Sequence, residues 1–202
     1  MRKVKVAVFV SGSGTNLQAL IDAEKAGNLP SCEIALVVSS NAHAQAIQRA
    51  EAAGIPVRIN SKKRYPDVDL RTAKLNELLK EYDIDMIVLA GYLGIIRRET
   101  FELYEGRIIN VHPSLIPSFC GMGYYGKLVH EAALAHGVKV TGATVHHVTL
   151  GVDEGKIIMQ KAVDVLPGDT TDTLQRRVME QAEWIILPQS TEMIAQQILK
   201  EL

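Results

Sequence analysis

What most constrains this chain is an alternation. Short runs dense in Val, Ile and Leu take turns with amphipathic segments that close on glycine or on a turn. "VKVAVFV" (4–10) is a β-branched run that reads as a buried strand. "TNLQALIDAEKAG" (15–27) has helical apolar spacing and ends at Gly27, a natural C-cap residue. "CEIALVVSS" (32–40) and "AHAQAIQRAEAAG" (42–54) repeat the unit, and "IPVRI" (55–59) is a short strand. "VDLRTAKLNELLKEY" (68–82) is a helix with Leu70, Ala73, Leu75, Leu78 and Leu79 to one side. "IDMIVLAGY" (84–92), "RRETFELY" (97–104) and "GRIINVH" (106–112) continue as strand, helix, strand. Helices threaded between successive strands imply a parallel sheet covered on both faces, because a parallel partner is reached only by a crossover.

Beyond residue 140 the pattern changes. "TGATVHHVT" (141–149) and "GKIIMQKAVDV" (155–165) read as strands joined through "LGVDEG", an antiparallel pair, and residues 171–202 close the chain as helix. The expected fold is α/β: a single-domain Rossmann-like open sheet over 1–202, mostly parallel, with an antiparallel C-terminal strand pair and helices on both faces. With 202 residues and 47% hydrophobic content the chain can bury one good core. A net charge of -1 gives nucleic acid no basic patch to bind. Two cysteines, Cys32 and Cys120, make neither a disulfide framework nor a four-ligand zinc site. The N-terminus "MRKVKVAVFV" carries no cleavage signal and no apolar run approaches bilayer length, so a cytoplasmic protein with small-molecule partners is expected.

In open sheets of this kind ligands sit beyond the carboxyl ends of the strands. Three segments fall there: the loop after Val10, the loop after Ala90, and the strand end carrying Asn110 and His112. The first is Ser11-Gly12-Ser13-Gly14-Thr15-Asn16, a glycine turn opening a helix, where backbone N–H groups can meet a phosphate. It lacks the Lys-[Ser/Thr] ending of a P-loop, and the second strand ends in "VVSSNAHA" without a carboxylate for a ribose. A nucleoside triphosphate and NAD are therefore disfavoured, and a phosphate monoester fits better. The bland reading, Ser, Thr and Asn capping a helix, stands beside it.

On a strand, Asn110 and His112 share a face. They are a satisfied polar pair or half of an active site. His146 and His147, adjacent on a strand, face opposite ways, and His130 and His136 are poorly spaced on their helix, so no metal site is expected. Asp153 lies in the Gly-flanked "LGVDEG", which is ordinary turn chemistry unless the hairpin packs beside His112. There it would orient the imidazole and raise its pKa. An amide donor, an imidazole and a carboxylate suit acyl transfer without a covalent intermediate.

The ordered set "SGSGTNLQALI", "VLAGY", "RIINVHPSLIPSFCG" and "GATVHHVTLGVDEGKIIMQ" resembles the phosphoribosylglycinamide formyltransferases, over nearly the whole chain. Asn-x-His-Pro-Ser-Leu-x-Pro is shared by formyl-tetrahydrofolate enzymes, while the Ser-Gly-x-Gly-[Ser/Thr]-Asn-Leu-Gln loop and the compact length point to the glycinamide member. The resemblance implies a purine-synthesis enzyme with 10-formyltetrahydrofolate as co-substrate, no metal and no NAD. It implies Asn110, His112 and Asp153 as the catalytic trio, and Gly14, Thr15 and Asn16 as the cradle for the ribose phosphate. Glu183 would contact the glycinamide, and the backbone of Leu93, Gly94, Ile95 and Ile96 would read the folate ring in an apolar part of the pocket. Two departures stand out. An arginine expected near the folate tail aligns with Val68, leaving Arg64 or Arg71 for that task, and the usual Pro-Gly after the Ser-Leu-x-Pro motif is Cys120-Gly121. A formyl hydrolase, a formyltransferase for another sugar amine, and a non-catalytic nucleotide-binding module are the alternatives.

Overall fold

The structure is a computed structural model describing residues 2–201. Seven strands form one sheet in the order β3-β2-β1-β4-β5-β6-β7. β1 (Val4–Val10), β2 (Cys32–Ser39), β3 (Val57–Ile59), β4 (Met86–Leu89) and β5 (Ile108–His112) run parallel. β6 (Val140–His147) and β7 (Ile157–Asp164) form the expected antiparallel pair. The antiparallel part reaches further in than that pair, since β6 also lies antiparallel to β5 and places His146 opposite Asn110. Several elements are shorter than their apolar runs, β4 most of all.

The period of two along β1 builds both halves of the core. Val4, Val6, Val8 and Val10 face α1 (Thr15–Lys25), α2 (Gln45–Ala52), α5 (Lys127–His136), α6 (Thr171–Val178) and α7 (Trp184–Glu201). Ala7 and Phe9 face the opposite layer with Leu36, Val38, Ile87 and Leu89, under α3 (Val68–Glu81) and α4 (Arg98–Leu103). On α3 the expected apolar face is buried only at Leu75 and Leu79, while Leu78 is half-buried and Leu70 and Ala73 are exposed. The chain reverses its winding between β1 and β4, and in open sheets ligands bind in the crevice beyond the carboxyl edge at such a point.

The closing helix is interrupted. Between α6 and α7, residues Met179–Glu183 form one π-helical turn, a bulge that re-aims side chains and recurs at functional sites. It turns the Glu183 carboxylate inward, against Asn16 of α1.

α5 packs His130 into the core at 1% exposure, with no partner for its Nδ1. Burial, and then the nearby His112, push this imidazole down to about 4 from an ordinary 6.5. The folded state therefore holds it neutral. Its contribution to stability is complete above about pH 6.5 and is lost as pH falls toward 4, about 3 kcal/mol in all. Chemical denaturation at pH 7 and pH 4 should show wild type losing that much more stability than His130→Gln.

Candidate active site

The glycine loop after β1 is shaped from behind by α2. Ala46 N–H donates to the Gly12 carbonyl (3.1 Å), and the Arg49 guanidinium to the Ser13 carbonyl (2.9 Å). With these oxygens drawn back, the following N–H groups face the crevice. Gly14 is left-handed (φ 73), and a Cβ there would come within 2.6 Å of the Ala46 backbone, so only glycine fits. No side-chain oxygen caps α1, which leaves the N–H groups of its first turn and the positive end of its dipole open. That counts against the helix-cap reading of Ser, Thr and Asn. The Arg49 cation, also bound to Gln18 (3.2 Å), lies directly beside the loop.

Asn16 links this loop to the π turn. Its Nδ2 donates to Glu183 at 2.6 Å, while its Oδ1 is buried without a partner. A buried acceptor left empty is costly, so the site is built for a ligand donor at that oxygen. Glu183 itself is 6% exposed, and burial raises its carboxyl above the ordinary value against the opposing Asn16 amide.

At the end of β5 the sequence expectation of convergence is met. Asp153 reaches His112 Nδ1 with Oδ2 (3.4 Å), and its Oδ1 lies 3.5 Å from Asn110 Nδ2. Gly121 N–H also donates to Oδ2 at 3.0 Å. His112 Nε2 faces the Phe119 carbonyl at 2.9 Å; a carbonyl only accepts, so Nε2 carries a proton. Both residues that flank the imidazole, Phe119 (φ 50) and Asp153 (φ 59), are left-handed, the kind of backbone strain that gathers at functional sites.

The expected rise in the His112 pKa is only half present. Burial pushes it down, the Asp153 carboxylate and the Phe119 carbonyl pull it up, and the net lies below the ordinary 6.5. Asp153 moves the same way: burial alone would raise it, but His146, His112 and the Gly121 N–H outweigh that and keep it ionised. The resting pair is a neutral imidazole beside a carboxylate.

His146 is the residue that sequence reasoning missed. It is 2% exposed, its Nδ1 donates to the His147 carbonyl (2.8 Å), and its Nε2 lone pair meets Asn110 Nδ2 at 3.1 Å. The signal was available in strand parity, because one of two adjacent histidines had to share a face with any neighbouring active strand. Among the described residues, no group of three or more His, Cys, Asp or Glu is placed to hold a metal ion.

An apolar pocket adjoins this cluster. Gly94, Ile95 and Ile96 line it with Tyr92, Val148, Leu150 and the Asn110–Asp153 end. Leu93 is not part of the lining; its side chain is exposed and its N–H is bound to Ser11 Oγ. Arg64 is turned onto Tyr65 and lines a separate groove with Arg58 and Lys74, so the structure does not bring it to the pocket. Arg71 is the better placed of the two arginines: its charge acts on the Tyr92 phenol at the pocket wall. Cys120 bonds the Pro117 carbonyl, and burial and then Asp153 raise its thiol, which argues against a nucleophile.

Residues 4–191 match the formyl transferase family. The chain is 43% identical over 193 residues to the trifunctional purine biosynthetic protein adenosine-3 of Gallus gallus, covering 96% of this chain and 18% of that longer protein. It is 38% identical to a chloroplastic phosphoribosylglycinamide formyltransferase of Vigna unguiculata, over 90% of this chain and 58% of that one. In three dimensions it is similar to glycinamide ribonucleotide transformylase 1 from Symbiobacterium toebii, with a TM-score of 0.89 and 40% identity over 96% of this chain and 89% of that one. Matched from Val4 to Thr191, through every loop that builds the site, the chain belongs to the formyl transferase family.

Proposed function

We propose that this protein transfers the formyl group of 10-formyltetrahydrofolate to the amine of N1-(5-phospho-D-ribosyl)glycinamide, yielding formylglycinamide ribonucleotide and tetrahydrofolate in purine biosynthesis. The observation that carries the reading is the position of the Asn110–His112–Asp153 cluster. It ends in an apolar pocket fit for a flat ring. The wall of that pocket is hydrogen-bonded through Leu93 to Ser11, at the start of the loop that leads into an uncapped helix N-terminus fit for a phosphate. The names of the relatives favour this acceptor over another sugar amine. The setting that goes with it is a cytoplasmic enzyme of small molecules, needing neither metal nor nicotinamide because the folate carries the one-carbon unit.

In this reading the phosphate of the acceptor sits on the N–H groups of Gly14, Thr15 and Asn16, with Arg49 adding charge. The free Asn16 Oδ1 and the Glu183 carboxylate meet the glycinamide end. The amine attacks the formyl carbon, a C–N bond forms, and the carbonyl oxygen becomes an oxyanion. Asn110 Nδ2 is placed to stabilise it by giving up its long 3.5 Å contact with Asp153 while His146 keeps the amide oriented. Collapse breaks the bond to the folate nitrogen, and the proton lost by the amine ends there. His112 has Nε2 already protonated against the Phe119 carbonyl, so it can take the proton leaving the amine only at Nδ1, beside the ionised Asp153, and return it from there as a cation that the carboxylate stabilises.

Absorbance-followed turnover of 10-formyltetrahydrofolate should require phosphoribosylglycinamide. Turnover in its absence would reveal a hydrolase, and binding without any turnover a non-catalytic module. Asn110→Ala should lower kcat by about 100- to 1,000-fold with a much smaller change in KM, as expected when one oxyanion donor is lost. In an NMR titration His112 should ionise below 6.5. Asp153→Asn should move it lower still, since the carboxylate charge is what pulls it up, and should slow turnover by about 100-fold or more. A His112 titration unmoved by Asp153→Asn would remove the carboxylate from this role.

A further inference from the structure

Ser11 is the first residue beyond β1, 8% exposed, and its hydroxyl takes part in no contact with the catalytic cluster. Its Oγ accepts the Leu93 N–H at 2.8 Å and shares a hydrogen bond with Ser40 Oγ at 2.6 Å. A serine hydroxyl has one proton and two lone pairs. One lone pair is given to Leu93, and the Ser40 contact uses the proton or the other lone pair. The loops that follow β1, β2 and β4 are thus tied at one buried point.

Two of these loops have different tasks. Residues 12–16 form the phosphate cradle, and Gly94–Ile96 form one wall of the apolar pocket. Leu93 starts that wall, yet its side chain is 65% exposed and packs nothing down. Gly91, two residues before it, is left-handed, so the loop leaves β4 through a sharp turn. The N–H bond to Ser11 fixes the backbone at the start of the wall, next to the Tyr92 ring that packs on Phe9 (ring centroids 5.3 Å).

We infer that Ser11 is a positioning residue that couples the two substrate sites. A phosphate bound on residues 12–16 immobilises the loop, the Ser11 hydroxyl carries that order to Leu93, and the Gly94–Ile96 wall is set for the folate ring before the folate arrives. The inference rests on the reading of these loops as acceptor and donor sites. The ordering met by the first ligand is no longer a cost to the second, and by linkage the effect runs equally in both directions. Ser11 touches neither ligand, so its loss should weaken the coupling rather than either affinity alone.

The experiment is calorimetric titration of tetrahydrofolate, which has no formyl group to transfer, into free protein and into protein saturated with phosphoribosylglycinamide. For wild type the acceptor should tighten tetrahydrofolate binding about five-fold or more, within the usual range of coupling between sites. Ser11→Ala should bring that ratio close to one while leaving tetrahydrofolate affinity for the free protein within about three-fold, a small change beside ordinary coupling. Ser40→Ala spares the Leu93 bond and should keep most of the coupling. Ser11→Cys, similar in shape but a poor acceptor, should behave like Ser11→Ala and serves if the alanine variant does not fold. A wild-type ratio near one, or full coupling in a folded Ser11 variant, overturns the inference. Independent binding of both ligands would leave the functional reading intact, whereas failure to bind either would overturn both.

Discussion

A carboxylate held away from water is stable only when its oxygens are met, and Asp153 shows how much structure that demand recruits. The effective penalty for burying such a charge is several kcal/mol. Here it is offset by the Gly121 N–H and by the Asn110 amide, which the His146 ring orients, with the His112 imidazole alongside at 3.4 Å. These partners come from the end of β5, from β6, and from the loop that follows the Ser-Leu-x-Pro motif. The left-handed backbone at Asp153 is what turns its side chain into the cluster. Aspartate tolerates that conformation better than most residues, so a hairpin turn and a catalytic carboxylate can share one position. Without Asp153 the imidazole of His112 would lose the charge that opposes its desolvation, and the Gly121 loop would lose its anchor.

The same network explains why His112 rests neutral. Desolvation acts on the imidazole at all times, whereas the help from Asp153 is limited by a 3.4 Å separation. A base intended to accept a proton from an amine benefits from that balance, since it must be unprotonated before the reaction and stabilised as a cation during it. His130, buried without a carboxylate neighbour and with His112 nearby, shows the lowering with nothing to oppose it.

Much of this was readable in the chain, for identifiable reasons. Period-two patterning in β1 and helix-period patterning in α1 and α3 are imposed by the core itself, so sheet, layers and crossovers followed from residue spacing. Asn110 and His112 were legible as a pair because strand parity admits no other arrangement. What escaped was non-local. Nothing near residue 146 states that β6 will lie against β5, and that register alone brings His146 to Asn110. Leu93 fits an apolar pocket by composition, but its side chain turns outward while its backbone N–H is held by Ser11. Arg64 and Arg71 stand four and three residues from the Val68 position, and stacking on Tyr65 keeps Arg64 on another face while the Arg71 charge is felt at Tyr92. The π turn that aims Glu183 leaves no composition signal at all.

The helix ends show where this fold trades stability for a site. α3 is capped by Asp67, which accepts Leu70 N–H, and α6 by a reciprocal Thr170–Thr173 box. Such caps are worth roughly 0.5–2 kcal/mol each. α1 has none, although Ser13 and Thr15 stand beside its first turn and either type is an ordinary capping residue. Gly14 occupies the capping position instead, held left-handed against Ala46. The N-terminus of α1 thus stays uncapped, as do those of α2, α4 and α5, and α2 holds the loop before it through Ala46 and Arg49. An anion arriving there completes a helix that the protein leaves unfinished, so ligand binding and local folding of this loop draw on the same hydrogen bonds.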